Sequence, residues 1–286
     1  MTLLLDKDIR TREVLDWKGL HLLHFSGSSC SQKIRIFLNL KKVDWISHSV
    51  NLASEQNHTP WFLGINPRGL VPVLVNNGKV HIESNDILQY LEKLFPKPKL
   101  IPEEFKKIAT QLFKEEDDLH LDLRSLSARY CFGKLAKKKS SSLNFFESDQ
   151  GTIEGKPDIY KEIEVRFYKD LQRDGITNKR AHESANNFKK YFEELGIRLG
   201  KEKYLLGNDI SMIDIAWFIY THRLSVAGYP FKELHPKVFN WYKDLYKKEE
   251  FFDEIHTPLT VKLISKSIRL VDLLKGEGLR KILLSS

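Results

Sequence analysis

The chain has 286 residues, 41% of them hydrophobic, and only two cysteines, Cys30 and Cys131. That length suits one large or two smaller domains, and two thiols cannot staple it, so a reducing, cytoplasmic setting is expected. No apolar run approaches a membrane-spanning length, and MTLLLDKDIRTREVL lacks the pattern of a secretory or transit signal. The net charge of +8 suits an anionic ligand, a nucleic acid or a membrane surface. It is diffuse, however, with lysines set among glutamates at Lys114-Glu115-Glu116 and Lys247-Lys248-Glu249-Glu250, and no nucleic-acid motif accompanies it.

After an N-terminal extension over 1–19, residues 20–96 alternate strand and helix signals. The apolar run 20–25 predicts a short buried strand. Gly27-Ser28-Ser29-Cys30 predicts a turn, and Ile34, Ile36, Phe37, Leu38 and Leu40 predict a helix packed on a sheet. Two hydroxyls and a thiol therefore stand where a strand ends and a helix begins. The free N–H groups and positive dipole end there stabilise an anion, and a hydroxyl there can lower the pKa of a bound thiol. An N-cap serine is the plainer reading of the same residues.

Residues 43–52 predict a second strand and 61–65 a short helix. Residues 71–75 and 79–82 predict a hairpin turned by Asn76-Asn77-Gly78, because Asn-Gly supplies the positive φ angles of a tight turn. Ser84 precedes an amphipathic helix, giving the order βαβ, β-hairpin, α. Pro96, Pro98 and Pro102 mark a linker over 97–104. Helices are predicted at 105–130, 156–171, 178–199, 211–226 and 236–246, within a helical domain over 105–256. A polar, irregular insertion near 134–157 interrupts it. The tail, 257–286, holds six basic and two acidic residues. Val261, Ile264, Ile268 and Val271 form one helical stripe in it, widened by Leu263, Leu270 and Leu274. Such a stripe packs on its own domain or lies on an anionic membrane surface.

Three motifs converge. In Asn66-Pro67-Arg68-Gly69-Leu70-Val71-Pro72-Val73-Leu74, a cis proline before a strand would offer the backbone of Val71 to an extended peptide. Glu83-Ser84 closes a strand and opens a helix, so a carboxylate for an ammonium stands beside a cap that holds a carboxylate. With Ser28-Ser29-Cys30-Ser31 and Ile34-Arg35-Ile36, this layout resembles the glutathione S-transferase superfamily, and its zeta class in the serine motif. Ser211-Met212-Ile213-Asp214 is similar to the capping box of that family's helical domain, a structural device. Residues 55–62, Thr221-His222-Arg223-Leu224 and Gly228-Tyr229 are similar to ganglioside-induced differentiation-associated proteins, and bacterial β-aryl-etherase-type transferases share a long helical insert.

The resemblance implies an α/β plus all-α chain: a thioredoxin-like domain followed by a helical bundle, working as a cytoplasmic homodimer with glutathione as co-substrate. Ser28 is the first candidate for thiol activation and Ser29 the second, with Cys30 as the alternative through a mixed disulfide. Asn57, His58, Val71, Pro72, Glu83 and Ser84 are the implied glutathione contacts. Arg68 could steer the glycyl carboxylate of glutathione by charge, although a surface arginine in a turn is the plainer reading. Arg124, Tyr130, Trp217 and Tyr220 are candidates against a small electrophilic substrate, although aromatics at helical spacing are mostly core. No metal and no nucleic acid are expected, and the tail allows weak membrane-surface contact.

Overall fold

The computed structural model describes residues 2–255 and 259–284, so 257, 258, 285 and 286 of the predicted tail lie outside the described residues. In chain order the elements are β1 (Leu20–His24), α1 (Ser29–Lys41), β2 (Ile46–Ser49), α2 (Pro60–Leu63), β3 (Val73–Asn76), β4 (Lys79–His81) and α3 (Ser84–Leu94). There follow α4 (Lys106–Asp118), α5 (His120–Ser127), α6 (Ser140–Ser148), α7 (Ile159–Arg173), α8 (Asn178–Arg198) and α9 (Met212–Ala227). Then come α10 (Phe231–Leu234), α11 (Pro236–Tyr246), α12 (Glu249–Phe252), α13 (Leu259–Lys275) and α14 (Leu279–Leu284). They form two compact units, one of residues 1–95 with 137–175, the other of 96–136 with 176–286.

In the first unit the strands run β2-β1-β3-β4, with β1 parallel to β2 and antiparallel to β3. Pairing of Leu23 with Val73, and of Leu74 with His81, brings the end of β1, the start of β3 and the end of β4 to one edge of the sheet. Because β2 is parallel to β1, the loop after Ser49 leaves from that edge too. Asn77 and Gly78 both have positive φ (48° and 78°), as the predicted hairpin requires. Side chains alternate across the strands. Leu23, Val73, Val75 and Val80 pack on one face with Phe62 and Ile65. Leu4, Ile9 and Val14 of the extension join that core, so residues 2–19 are part of the unit rather than an appendage.

The insertion differs from its sequence reading in two ways. It contains the helix α6, and together with α7, which the sequence reads as a helix over 156–171, it belongs to the first unit rather than the helical one. The reason is apolar: Leu143 and Phe146, three apart on one helical face, bury with Val165 against Leu63. Charges reinforce the seat, since Arg10 donates to Asp149 at 2.8 Å and Lys139 N–H donates to Glu55 at 2.8 Å.

In the second unit the predicted single helix over 105–130 is α4, α5 and a π-type turn at Ala128–Phe132. α9 is buried nearly all round, as expected of a helix with no polar face, and it packs against α4 and α5. Ser211 Oγ accepts the Asp214 N–H at 3.3 Å while Asp214 Oδ2 accepts the Ser211 N–H at 2.9 Å, so the capping box is complete. Asp214 also takes hydrogen bonds from Leu205 N–H and Trp241 Nε1–H, at 2.9 and 2.8 Å. Burial pushes its carboxyl up, and these hydrogen bonds oppose the shift. α13 seats on the π turn through Ser265, whose Oγ donates to the Tyr130 and Val226 carbonyls. The predicted stripe divides there: Val261, Ile264 and Ile268 are half-buried, while Leu263, Leu270, Val271 and Leu274 are exposed.

The capping network gives an ordered expectation. Ser211→Ala costs about 1–2 kcal/mol, the usual loss of an N-cap. Asp214→Ala costs more, because it strands four buried donors: the Leu205 and Ser211 N–H groups, the Ser211 hydroxyl and the Trp241 indole N–H. Urea midpoints of the two variants check this, and equal losses would contradict the assignment.

Candidate functional site

The edge of the sheet where β1, β3 and β4 meet is also where α1 and α3 begin. Both helices therefore direct free N–H groups and positive dipole ends toward it. Ser28 is the N-cap of α1, its Oγ accepting the Ser31 N–H at 3.3 Å. An acceptor hydroxyl keeps its own proton to donate. Ser29 and Cys30 occupy the first turn, and all three residues are half-buried. The Val71–Pro72 bond is cis, directly before β3. Ser84 opens α3, and Glu83 before it has φ 67°, a conformation uncommon for a residue with a side chain and concentrated at functional sites. Ser28, Val71, Pro72, Glu83 and Ser84 thus gather at one edge.

Asn57 and His58 are placed differently. Both are buried, beneath the insertion. Asn57 Nδ2 donates to the Gly69 carbonyl at 2.7 Å, holding a turn in which Gly69 has φ 63°. The His58 ring stacks on Phe146, with centroids 4.5 Å apart, and its Nδ1 lies 3.1 Å from Ser142 Oγ. Burial, then the charge of Lys138, holds His58 down to about 4, so the ring is neutral at physiological pH.

Arg68 departs furthest from its sequence reading. Instead of a surface arginine it is a buried cation between two acids. Its Nε and one terminal nitrogen donate to Asp158 at 2.7 and 2.9 Å, and the other terminal nitrogen donates to Glu83 at 2.5 Å. The Tyr160 ring covers its guanidinium carbon at 4.3 Å. Burial works against this charge, but hydrogen bonds and charges from Asp158 and Glu83 outweigh it and hold the guanidinium protonated. Asp158 is the N-cap of α7, so the insertion contributes a charge to the candidate site. The sequence reads a helix over 156–171 with Asp158 inside it, and no local pattern names its distant partner.

In the helical unit Tyr130, Trp217 and Tyr220 are core residues at 0%, 0% and 1% exposure, which leaves their rings no free face. The Trp217 indole donates to the Leu112 carbonyl. Arg124 is half-buried, 3.0 Å from His120, whose other nitrogen meets the Tyr220 hydroxyl at 3.0 Å. Cys131 is fully buried, and burial pushes its thiol up to about 11, so it carries little thiolate at neutral pH. Among the described residues no group of three or more His, Cys, Asp or Glu forms a metal cluster.

Family models for the N-terminal and C-terminal domains of glutathione S-transferase match residues 27–94 and 178–244. The first match contains Ser28, Pro72 and Glu83–Ser84. Residues 27–94 and 178–244 are thus similar to the two domains of glutathione S-transferases. A zeta-class glutathione S-transferase of Euphorbia esula is 43% identical over 90 residues, 32% of this chain and 40% of that protein. A maleylacetoacetate isomerase of Pseudomonas aeruginosa is 38% identical over 85 residues, 29% of this chain and 40% of that protein. The match thus spans about two-fifths of each relative. Among solved structures, a β-etherase from Sphingobium sp. strain SYK-6 superposes with a TM-score of 0.66 at 24% identity, covering 82% of this chain and 98% of that one. This likeness shows the fold: a thioredoxin-like domain and a helical domain.

Burial sets a pH dependence. His24, His58 and His81 are each held down to about 4 from 6.5, chiefly by burial. A depressed folded-state pKa contributes stability that is whole above 6.5 and lost as pH falls toward 4. The unfolding midpoint is expected to fall steadily across that window. In His58→Phe, which keeps the stack on Phe146 without a titrating group, the slope is shallower; an unchanged slope would assign the loss elsewhere.

Proposed function

We propose that this protein is a glutathione transferase that activates the glutathione thiol for attack on a small electrophile. The observation that carries the reading is the meeting of two helix N-termini, a cis-proline edge and an acid-serine pair at one end of the sheet. In this reading the peptide lies along Val71–Pro72, with its γ-glutamyl end at Glu83–Ser84 and its sulfur at the start of α1. The Ser28 hydroxyl donates to the sulfur, and the helix end favours the thiolate. Each unit by which the thiol pKa falls from ~8.5 raises the thiolate fraction about tenfold near neutrality. The thiolate attacks an electrophilic carbon, and orientation of both reactants supplies much of the remaining acceleration. Ser29 and then Cys30 are the alternatives at the sulfur. Arg124, the half-buried member of its group with His120, is the candidate contact for an acidic or polar electrophile. Homodimerisation and a cytoplasmic setting rest on the family resemblance.

A neighbouring reaction is supported by the zeta-class and isomerase relatives: thiolate addition to a conjugated diacid, rotation and elimination, which returns glutathione and isomerises the double bond. A screen over haloaromatics, aryl ethers and conjugated diacids separates the two. For the mechanism itself, Ser28→Gly removes the hydroxyl while costing the helix start only a few tenths of a kcal/mol. The ultraviolet absorbance of bound thiolate is expected to titrate at least one pH unit higher in this variant, with turnover at neutral pH down about tenfold or more. Unchanged titration and unchanged turnover would remove Ser28 from the mechanism.

One observation favours an additional role at a membrane surface. Leu259, Leu263, Leu270 and Leu274 are 55–80% exposed along α13, and Lys262, Lys266 and Lys275 are the exposed charges beside them. Apolar anchors among lysines suit an anionic lipid surface. Vesicles containing phosphatidylserine are expected to sediment the full chain more strongly than Leu263→Glu/Leu270→Glu. Equal sedimentation would sink the idea.

A further inference from the structure

Glu83 is expected to receive the ammonium of a γ-glutamyl group, yet it stands 2.5 Å from the Arg68 guanidinium. A carboxylate already neutralised by arginine attracts a second cation weakly. The insertion resolves this conflict. Asp158 takes two nitrogens of Arg68 in a forked contact at 2.7 and 2.9 Å and leaves one for Glu83. The three charges form a line of acid, base and acid with a net charge of minus one. Their exposure is unequal: the Arg68 and Asp158 side chains are each 8% exposed, and that of Glu83 is 37% exposed. The buried pair cancels, and the surplus negative charge is presented at the open end, on Glu83.

We propose that Asp158 is a positioning residue for the γ-glutamyl end of the thiol peptide: by neutralising Arg68 it restores to Glu83 the charge that binds the ammonium. The inference rests on the reading of this edge as a glutathione site. Two further contacts hold the device in place. Asp158 is fixed as the N-cap of α7, accepting the Lys161 N–H. Tyr160, on the first turn of the same helix, covers the guanidinium. The insertion thus reaches the site through charge, while Leu143, Phe146 and Val165 anchor it from behind.

The test compares calorimetric affinities for two ligands: glutathione, and its deamino analogue, which lacks only the α-ammonium. The wild-type chain is expected to prefer glutathione. Asp158→Asn keeps the helix cap, since asparagine caps as well as aspartate, but leaves Arg68 to neutralise Glu83. It is expected to lose about tenfold in affinity for glutathione and little for the deamino analogue, with turnover at saturating glutathione retained. The double variant Arg68→Met/Asp158→Asn removes the cation as well, so Glu83 regains its charge and the preference for glutathione returns. A merely structural role for Asp158 would weaken both ligands alike in the single variant and would not be reversed in the double one; either result overturns the proposal. Failure of the wild type to bind either ligand overturns the glutathione reading itself. Binding of both ligands equally by the wild type retains that reading and overturns the role of Asp158.

Discussion

The guanidinium of Arg68 sets the terms for much of the first unit. A cation taken out of water must find its counter-charges within the protein, and breaking such a pair by removing one partner costs about 3–5 kcal/mol. Here the partners come from three separate stretches of chain: the turn that carries Arg68, the start of α3 through Glu83, and the start of α7 through Asp158. The arginine therefore requires the insertion to be seated before its own burial is tolerable. The apolar contacts of Leu143 and Phe146 supply attraction without direction. The forked contact adds register, because a planar guanidinium accepts a carboxylate in few orientations.

The chemistry assigned to the sheet edge has a simple electrostatic origin. A parallel β1–α1–β2 unit followed by an antiparallel hairpin and α3 sends both helices away from the same edge. Their first turns face it, and each adds partial positive charge. A sulfur anion and a carboxylate are both favoured at such a place, and one acid among the donors distinguishes an ammonium from them. The fold thus supplies a field suited to a zwitterionic peptide with an ionisable thiol.

Much of this was legible in the sequence because it is local. Alternation and periodicity read the four strands and α8, α9 and α11 to within a few residues, and Asn77-Gly78 and Ser211–Asp214 named their turn and cap from adjacent side chains. The π turn at Ala128–Phe132 is not legible, since it keeps an apolar pattern that still resembles continuous helix. The insertion was misread as irregular because lysines and serines dominate its first half, and its two apolar anchors are too few to show a period. Arg68, Asn57 and His58 sit on turns, where sequence assumes exposure. The partners of Arg68 and His58 lie 84 to 90 positions away, which no local pattern encodes.

The chain path has a consequence for how the protein comes to be made. The backbone passes between the two units after residues 95, 136 and 175, so neither unit is one continuous segment. During synthesis the sheet is complete by residue 94, yet Leu63 stays uncovered until α6 emerges, and Arg68 lacks Asp158 until 64 further residues have emerged. Much of the second unit's α4 and α5 must therefore leave the ribosome while the first is still open, which gives a chaperone an interval in which to act. A gene cut at the apparent domain boundary would yield a fragment with an exposed apolar face at Leu63 and an arginine left without its aspartate.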